Sequence, residues 1–427
     1  MNVGDDLILN VEKPAAGGQM LARHHGQVVL VGGAIPGEQV RARVTRVAKG
    51  VAHADTADVV AASPDRRPVR GDWRCGGNVL AHVAYPRQLQ LKAEIVADAF
   101  RRIGRLPLDV TPAVVASPEH GYRMRARLHV MGDRIGFYRE GTHALCDAAA
   151  TGQLSEWTNA WIVAAEQRLR LAGLSGLTAI EIAENIAGDR RACHLELQSG
   201  ARVAAFAALA DGLDGLSVQE PDRPSVAVLA GIPIVSDVLH AREGDPASAL
   251  RLHRNVRAFF QGNRFLIEPL LRHVLDLIPP GPLVDLYAGV GLFGLSAAAA
   301  GRDGVTLVEG DPVSGADLQG NAEPFGGRVR VARRSVEAFL SAGAVPPGAS
   351  LVIDPPRTGL SKDSLAGILR HRPPTIVYVS CDVATLARDA RALVAAGYDR
   401  RSVTSFDLFP NTAHVETVCT FEGRTLT

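Results

Sequence analysis

The chain has 427 residues, 47% of them hydrophobic and 21% charged, enough for more than one buried core. Its formal net charge of +1 excludes a global basic field for nucleic acid and leaves only local contact surfaces. Five cysteines in this length exclude a secreted disulfide framework, the acidic segment 1–12 does not read as a signal peptide, and no run of about 18 apolar residues could span a membrane. A soluble, cytoplasmic protein with reduced thiols is expected.

Residues 1–62 read as short strands parted by Gly and Pro, among them Leu7–Val11 and Gln27–Val31. Further on, Val40, Ala42 and Val44 point one way and Arg41, Arg43 and Thr45 the other. Several short strands in so small a segment predict a barrel of OB type. Its arginine face is either a track for a phosphate backbone or a solvated surface. Residues 62–71, with Pro64 and Pro68, read as a linker. Pro86 opens a helix whose Leu89, Ala93, Val96, Phe100 and Ile103 form one apolar stripe, ended by Gly104. Alternation returns from Tyr122 to Val130. Tyr122, Met124, Ala126, Leu128 and Val130 share one face; Arg123, Arg125, Arg127 and His129 share the other. Gly132-Asp133 turns this strand into Ile135–Tyr138 as an antiparallel hairpin. Its arginine face could contact several phosphates or be outer surface. A helix is expected from Ser155 to about Leu171, burying Trp157, Trp161, Ile162 and Ala165. From Thr178 to Val238 the β-like segments carry no legible chemistry.

From about Leu250 strands alternate with helices, the pattern of a parallel sheet. The strand Pro282–Leu286 is followed by Gly289, Gly291 and Gly294 in G-x-G-x-x-G spacing, and the next strand, Thr306–Val308, runs into Glu309. Glycines let a ligand approach the backbone, and an acid at the end of the next strand binds ribose hydroxyls. The pattern fits a dinucleotide or S-adenosylmethionine, since both carry an adenosine ribose. The strand Ser350–Ile353 ends in Asp354-Pro355-Pro356-Arg357, a stiff loop with no N–H on its two prolines. Thr375–Val379 reads as a buried strand, with Cys381 where it stops and Asp382 able to cap a helix that ends at Gly397. A thiol there meets unpaired N–H groups and the positive end of the helix, which favour the thiolate. On position alone Cys381 reads equally as a nucleophile and as a buried structural cysteine.

Phe259-Phe260-Gln261-Gly262-Asn263, Asp285-Leu286-Tyr287-Ala288-Gly289-Val290-Gly291, Asp354-Pro355-Pro356-Arg357, Val379-Ser380-Cys381 with Ala384-Thr385-Leu386-Ala387-Arg388, and the run from Asp407 to Glu416 occur in this order. Together they resemble the S-adenosylmethionine-dependent RNA (uracil-5-)-methyltransferases, and the resemblance covers most of the chain. It implies an α/β protein: a Rossmann-like class I methyltransferase domain, an N-terminal OB-like β-barrel and a central α+β domain. The implied boundaries are 1–62 for a TRAM-like RNA-binding barrel, 72–250 for the central domain and 251–427 for the catalytic domain, on which the helix at about 86–104 packs. By the same resemblance Cys381 is the nucleophile that adds to uracil carbon 6, and Glu416 is the base that removes the carbon 5 proton. Without the motif, Glu416 would read as a solvated carboxylate. Gln261, Tyr287, Gly289, Glu309 and Asp354 match the positions that hold S-adenosylmethionine. The implied partner is structured RNA with its target base out of the stack, 23S ribosomal RNA before transfer RNA, with no membrane and no obligate protein partner.

The chain departs from the family pattern in two respects. Many members bind an iron–sulfur cluster through four cysteines. Here Cys75 remains, Asn78 stands where another cysteine would be, and Cys146 comes several residues earlier than the family's fourth ligand. Four thiolates are needed, so no cluster is expected. Asp382-Val383 replaces the frequent Asn-Pro after the nucleophile, and Leu292 stands where an Asn often helps hold the cofactor. Two rival readings are a nicotinamide-dependent oxidoreductase, which the glycine spacing permits, and a non-catalytic RNA-binding protein built on the arginine faces.

Overall fold

Alternating apolar residues close the first segment into a barrel. β1 (Asp6–Pro14), β2 (Met20–His24), β3 (Gln27–Gly32), β4 (Gln39–Ala48) and β5 (Val51–Ala61) pair in the order β1-β2-β3-β5-β4, and β1 returns to β4. Val40, Ala42 and Val44 point into its core, as expected. Arg41 and Arg43 point outward, where Arg41 pairs with Asp58 and Arg43 with Asp6 at 3.0 Å. The computed structural model describes residues 1–220, 223 and 225–424; positions 221, 222 and 224, inside the stretch without legible chemistry, and 425–427 lie outside the described residues.

Residues 62–71 do not form the free linker expected of them. The Glu38 carboxylate is fully buried in the barrel wall and needs a partner; Arg66 supplies it through Nε and Nη2, both at 2.6 Å. Arg67 reaches Glu119 and Asn411. Helix α1 (Tyr85–Ala99) then opens with Pro86 and continues as a π-helical turn, Phe100–Gly104. Ala93, Val96 and Phe100 are buried as expected, whereas Ile103 is 43% exposed, because the wider turn rotates it off the stripe. Leu91, Ile95 and the charged Lys92 are buried instead. A short strand, β6 (Val114–Val115), follows.

The central part is a seven-stranded sheet. It comprises β7 (Arg125–Met131), β8 (Arg134–Tyr138), β9 (Leu145–Cys146), β10 (Leu177–Glu184), β11 (Arg191–Leu197), β12 (Gly215–Gln219) and β13 (Val226–Gly231). Helix α2 (Glu156–Leu171), capped by Ser155 on the Thr158 N–H, covers one face with Trp161, Ile162 and Ala165. The β7–β8 hairpin forms as the alternation predicts. Its arginines do not face solvent alone. Arg125 pairs with Glu181 at 2.9 Å, Arg127 pairs with Glu196, and Arg123 donates to Gln153 and lies over the Phe137 ring.

Of the two readings left open for the arginine faces of barrel and hairpin, these pairings favour outer surface over a phosphate track, because carboxylates already neutralise most of these arginines. A phosphate contact contributes about 0.7 to 0.9 to the salt slope of RNA binding. Replacing Arg41, Arg43, Arg123, Arg125 and Arg127 together by Gln is therefore expected to flatten that slope by less than about one contact's worth. Filter-binding titrations at several salt concentrations would measure it, and a loss of three contacts or more would restore the phosphate role.

The expectation of reduced thiols also fails at one pair. Gly76 N–H donates to Tyr138 O and Cys75 bridges to Arg139, which brings the loop alongside β9. Cys75 and Cys146, 5.7 Å apart between Cα atoms, are joined by a disulfide. Asn78 is buried and donates to the backbone carbonyls of Arg70 and Asp72.

After a two-stranded ribbon, β14 (Ile234–His240) and β15 (Ala249–Asn255), the C-terminal sheet begins. Its strands are β16 (Leu283–Leu286), β17 (Val305–Glu309), β18 (Val329–Arg333), β19 (Ser350–Ile353), β20 (Thr375–Ser380), β21 (Tyr398–Phe406) and β22 (Glu416–Gly423). They run in the order β18-β17-β16-β19-β20-β22-β21-β6. The first five are parallel, and β22 enters antiparallel beside β20. β16, β19 and β20 are wholly buried, which is why they read as continuous apolar runs rather than alternating ones. Helices α3 (Ile267–Asp276), α4 (Leu292–Ala299) and α5 (Pro312–Ala322) build the core on one face. Helices α6 (Val336–Ser341), α7 (Lys362–His371) and α8 (Val383–Ala395), with α1, build it on the other. Among the described residues no helix is long and apolar enough to cross a membrane.

Candidate active site

The carboxyl ends of the parallel strands form the edge where an open α/β sheet binds its ligand. β20 ends at Ser380. Asp382 then accepts the Thr385 N–H at 2.9 Å and starts α8, so Cys381 is held between a strand end and a helix start. β22 runs back beside β20 with Ser380 opposite Thr417. Extending that register by one residue brings Cys381 and Glu416 side by side at the sheet edge. Sequence alone could not give this pairing, because β22 lies 35 residues after Cys381 and its direction is not legible.

Asp354 leaves β19 on the same edge and is half-buried; Gln261 Nε2 donates to it at 3.0 Å. On the other side of β16, Glu309 ends β17 and accepts the Gly289 N–H at 2.7 Å. Two groups of the expected site residues are thus brought together: Gln261 and Asp354 with Cys381 and Glu416, and Gly289 with Glu309. Tyr287 follows β16 in a left-handed conformation, φ 62°, and its hydroxyl is engaged by Ser364 of α7 at 3.0 Å. A Cβ on Gly294 would lie 2.1 Å from Leu307, so α4 packs on β17 only because no side chain intervenes. A Cβ on Gly289 would meet nothing closer than Phe259 O at 4.0 Å, so that glycine opens onto space.

Electrostatics overturns one expectation. The helix start does not lower the Cys381 thiol; its pKa is pushed up to about 12. Burial is the main cause, followed by the Glu416 and Asp354 carboxylates, against which Arg357 acts through its charge and a hydrogen bond. Burial, joined by two nearby carboxylates, outweighs the partial charge of a helix end. Burial likewise raises Asp354 to about 7 and Asp285 to about 8, and lifts Glu309 and, far more, Glu416. Asp285 Oδ1 and Glu416 Oε1 have no partner. An edge with two buried and two half-buried carboxylates and open space at a glycine suits a ligand that brings positive charge and hydroxyl groups.

Two residues of the quoted motifs gain a place here that their spacing did not announce. Arg357 opposes the carboxylates around Cys381. His414 is exposed, yet partial desolvation first and Arg357 second lower its pKa to about 4, which favours a neutral ring.

Comparison with known proteins gives concordant matches. A family model described as tRNA (Uracil-5-)-methyltransferase matches residues 348–423, and one for the TRAM domain matches residues 2–57. The 23S rRNA (uracil(1939)-C(5))-methyltransferase RlmD of Pseudomonas putida is 30% identical, covering 99% of this chain and 94% of that protein. RlmD of Pseudomonas entomophila is 32% identical with the same coverage. The crystal structure of Pyrococcus abyssi tRNA (uracil-54, C5)-methyltransferase in complex with S-adenosyl-L-homocysteine superimposes with a TM-score of 0.74, over 97% of this chain and 99% of that one. At 23% identity that likeness is one of fold.

Proposed function

Because this chain belongs to the S-adenosylmethionine-dependent RNA (uracil-5-)-methyltransferases, we propose that it acts on a uridine of 23S ribosomal RNA through a covalent Cys381–uracil adduct. It methylates carbon 5 of uracil in RNA, so the readings as an oxidoreductase and as a non-catalytic RNA-binding protein are set aside. The single observation that carries the mechanism is the β20–β22 register, which sets Cys381 beside Glu416.

Carbon 5 of uracil is a poor nucleophile. The Cys381 thiol gives its proton to solvent, and the thiolate attacks carbon 6, forming the C6–S bond and moving the C5=C6 electron pair into an enolate. Arg357 stabilises the thiolate. The bound cofactor supplies an electrophilic methyl group on a sulfonium. Gln261, Tyr287, Gly289, Glu309 and Asp354 are the residues that would hold it. Held by Asp354, its positive charge would offset one of the carboxylates that keep the thiol protonated. After methylation, Glu416 in its ionised form takes the carbon 5 proton, and burial, which raises its proton affinity, favours that transfer. The C–H electron pair restores C5=C6, the C6–S bond breaks, and its pair returns to Cys381 as thiolate. The same reading assigns residues 1–62 to RNA binding, 72–250 to a central domain and 251–427 to catalysis, in the cytoplasm.

Mapping 5-methyluridine in total RNA from cells with and without the gene tests the substrate. Loss of one site in 23S ribosomal RNA is expected; loss in transfer RNA would move the assignment there.

The buried carboxylates predict a pH-dependent ligand response. The folded pKa values of Asp354 and Asp285, about 7 and about 8, are raised. Their contribution to stability is therefore full below the ordinary carboxylate range and is lost as pH rises through 7 and 8. The sulfonium charge is permanent and offsets that loss. The rise in melting temperature on adding S-adenosylmethionine should therefore be larger at pH 8.5 than at pH 6.5, by roughly 2–4 °C. Differential scanning fluorimetry reads it, and a rise independent of pH would remove both carboxylates from the cofactor site.

A further inference from the structure

The loop between β21 and β22 delivers Glu416, and it is not left to solvent. Asn411, five residues before Glu416, has its N–H, its C=O and its Oδ1 engaged by a segment more than 300 positions earlier. Its N–H donates to Gln88 Oε1 at 2.9 Å, and its Oδ1 accepts from Gln88 Nε2 at 2.9 Å and Arg67 Nη2 at 2.8 Å. Its carbonyl accepts the Leu80 N–H at 2.8 Å. Asn411 also adopts φ 64°, a left-handed conformation that Asn tolerates better than most residues. Two residues before it, Lys92 Nζ donates to Phe409 O at 2.9 Å while pairing with Asp407, and both charged side chains are fully buried. Gln88 and Lys92 lie one turn apart on α1 and are wholly buried.

A buried lysine–aspartate pair adds little net stability over an apolar pair, but it fixes geometry. We infer that Gln88 and Lys92 of α1, with Asn411, are positioning residues that hold Glu416 at the distance from carbon 5 needed for proton removal. The inference rests on the proposed role of Glu416. Neither Gln88 nor Lys92 is in the motifs that point to the chemistry, and α1 precedes the central sheet in the chain. Its place against this loop gives that helix a task in the reaction beyond packing.

The role has a signature that a merely structural one lacks. If only the base is misplaced, attack by Cys381 and methylation proceed, and elimination slows. Misplacement on the order of 1 Å costs up to about 100-fold. Asn411→Gly keeps the left-handed backbone and both backbone hydrogen bonds and removes only the Oδ1 contacts. Gln88→Met removes the partner instead, and Lys92→Met removes the buried charge. The test uses the purified full chain, methyl-labelled S-adenosylmethionine and the mapped RNA fragment, with Glu416→Gln run alongside.

For Asn411→Gly and Gln88→Met, kcat should fall about 10-fold to 100-fold. KM for RNA should stay within about twofold, and the labelled protein–RNA band on a denaturing gel should grow about tenfold over wild type. Lower kcat without that band, a change in KM alone, or wild-type kinetics overturns the positioning role. Should Lys92→Met fail to fold, Asn411→Gly still decides it. An adduct with Glu416→Gln but not with the α1 and Asn411 variants sinks this inference alone. No adduct even with Glu416→Gln overturns the base assignment, and the positioning role with it.

Discussion

Cys381→Ala is expected to abolish methyl transfer, by about four orders of magnitude or more, because no other group can form the bond to carbon 6 that makes carbon 5 nucleophilic. The side chain is only partly buried and is not a cap; Asp382 starts α8 by itself. Removing one sulfur should therefore change folding stability by less than about 1 kcal/mol. Cofactor binding should hold or improve slightly, since the change takes away no charge: the thiol, pushed up to about 12, is protonated in the free protein. Methyl-label incorporation into the mapped RNA, a thermal melt and a cofactor titration on the same preparation separate these effects. Full turnover by the variant would refute the nucleophile assignment. Lost turnover accompanied by lost folding would identify Cys381 as a structural cysteine.

Glu416→Gln should have the second largest effect, of a different kind. Glu416 acts after the methyl group has moved, so attack by Cys381 and methylation itself should survive its loss. Release should not, because elimination of the cysteine needs the carbon 5 proton gone. Gln keeps the size and one acceptor oxygen but cannot take up the proton as a carboxylate does. The expected product is a covalent protein–RNA adduct that already carries the methyl group, visible as a labelled band at the combined mass on a denaturing gel. Folding should not suffer. Burial holds Glu416 well above the usual carboxylate range, and Oε1 has no partner, so a neutral amide replaces a strained acid. Free methylated RNA released at the wild-type rate would leave Glu416 as a local structural group.

Much of the fold was legible in the residues. Val40, Ala42 and Val44 alternate with Arg41 and Arg43 because one barrel face is dry, and the strands around Val352 and Val377 read as mainly apolar runs because both faces are covered. Asp382 was read as a cap from its place before an apolar-periodic run, and it is one. Where local spacing misled, the cause was a partner far away in the chain. Arg125 and Arg127 left a phosphate face and an outer surface both open, because Glu181 and Glu196, on strands paired later, were not yet beside them. Residues 62–71 looked like a linker because the buried Glu38 that binds Arg66 is not visible as buried in sequence.

The sequence by itself determined which chemistry is present: a thiol at a strand end, an acid at the end of the glycine-rich unit's second strand, and a motif that carries Glu416. Those are local facts, written in spacing and residue type. Tertiary structure decided what the chemistry experiences. It set Cys381 beside Glu416 through the antiparallel entry of β22, and it raised the thiol because burial and neighbouring carboxylates outweigh a helix end. It also brought α1 across the chain to hold the loop at Asn411. Each of these depends on desolvation and on charges a few ångströms apart in space but far apart in sequence, quantities that no pattern along the chain encodes.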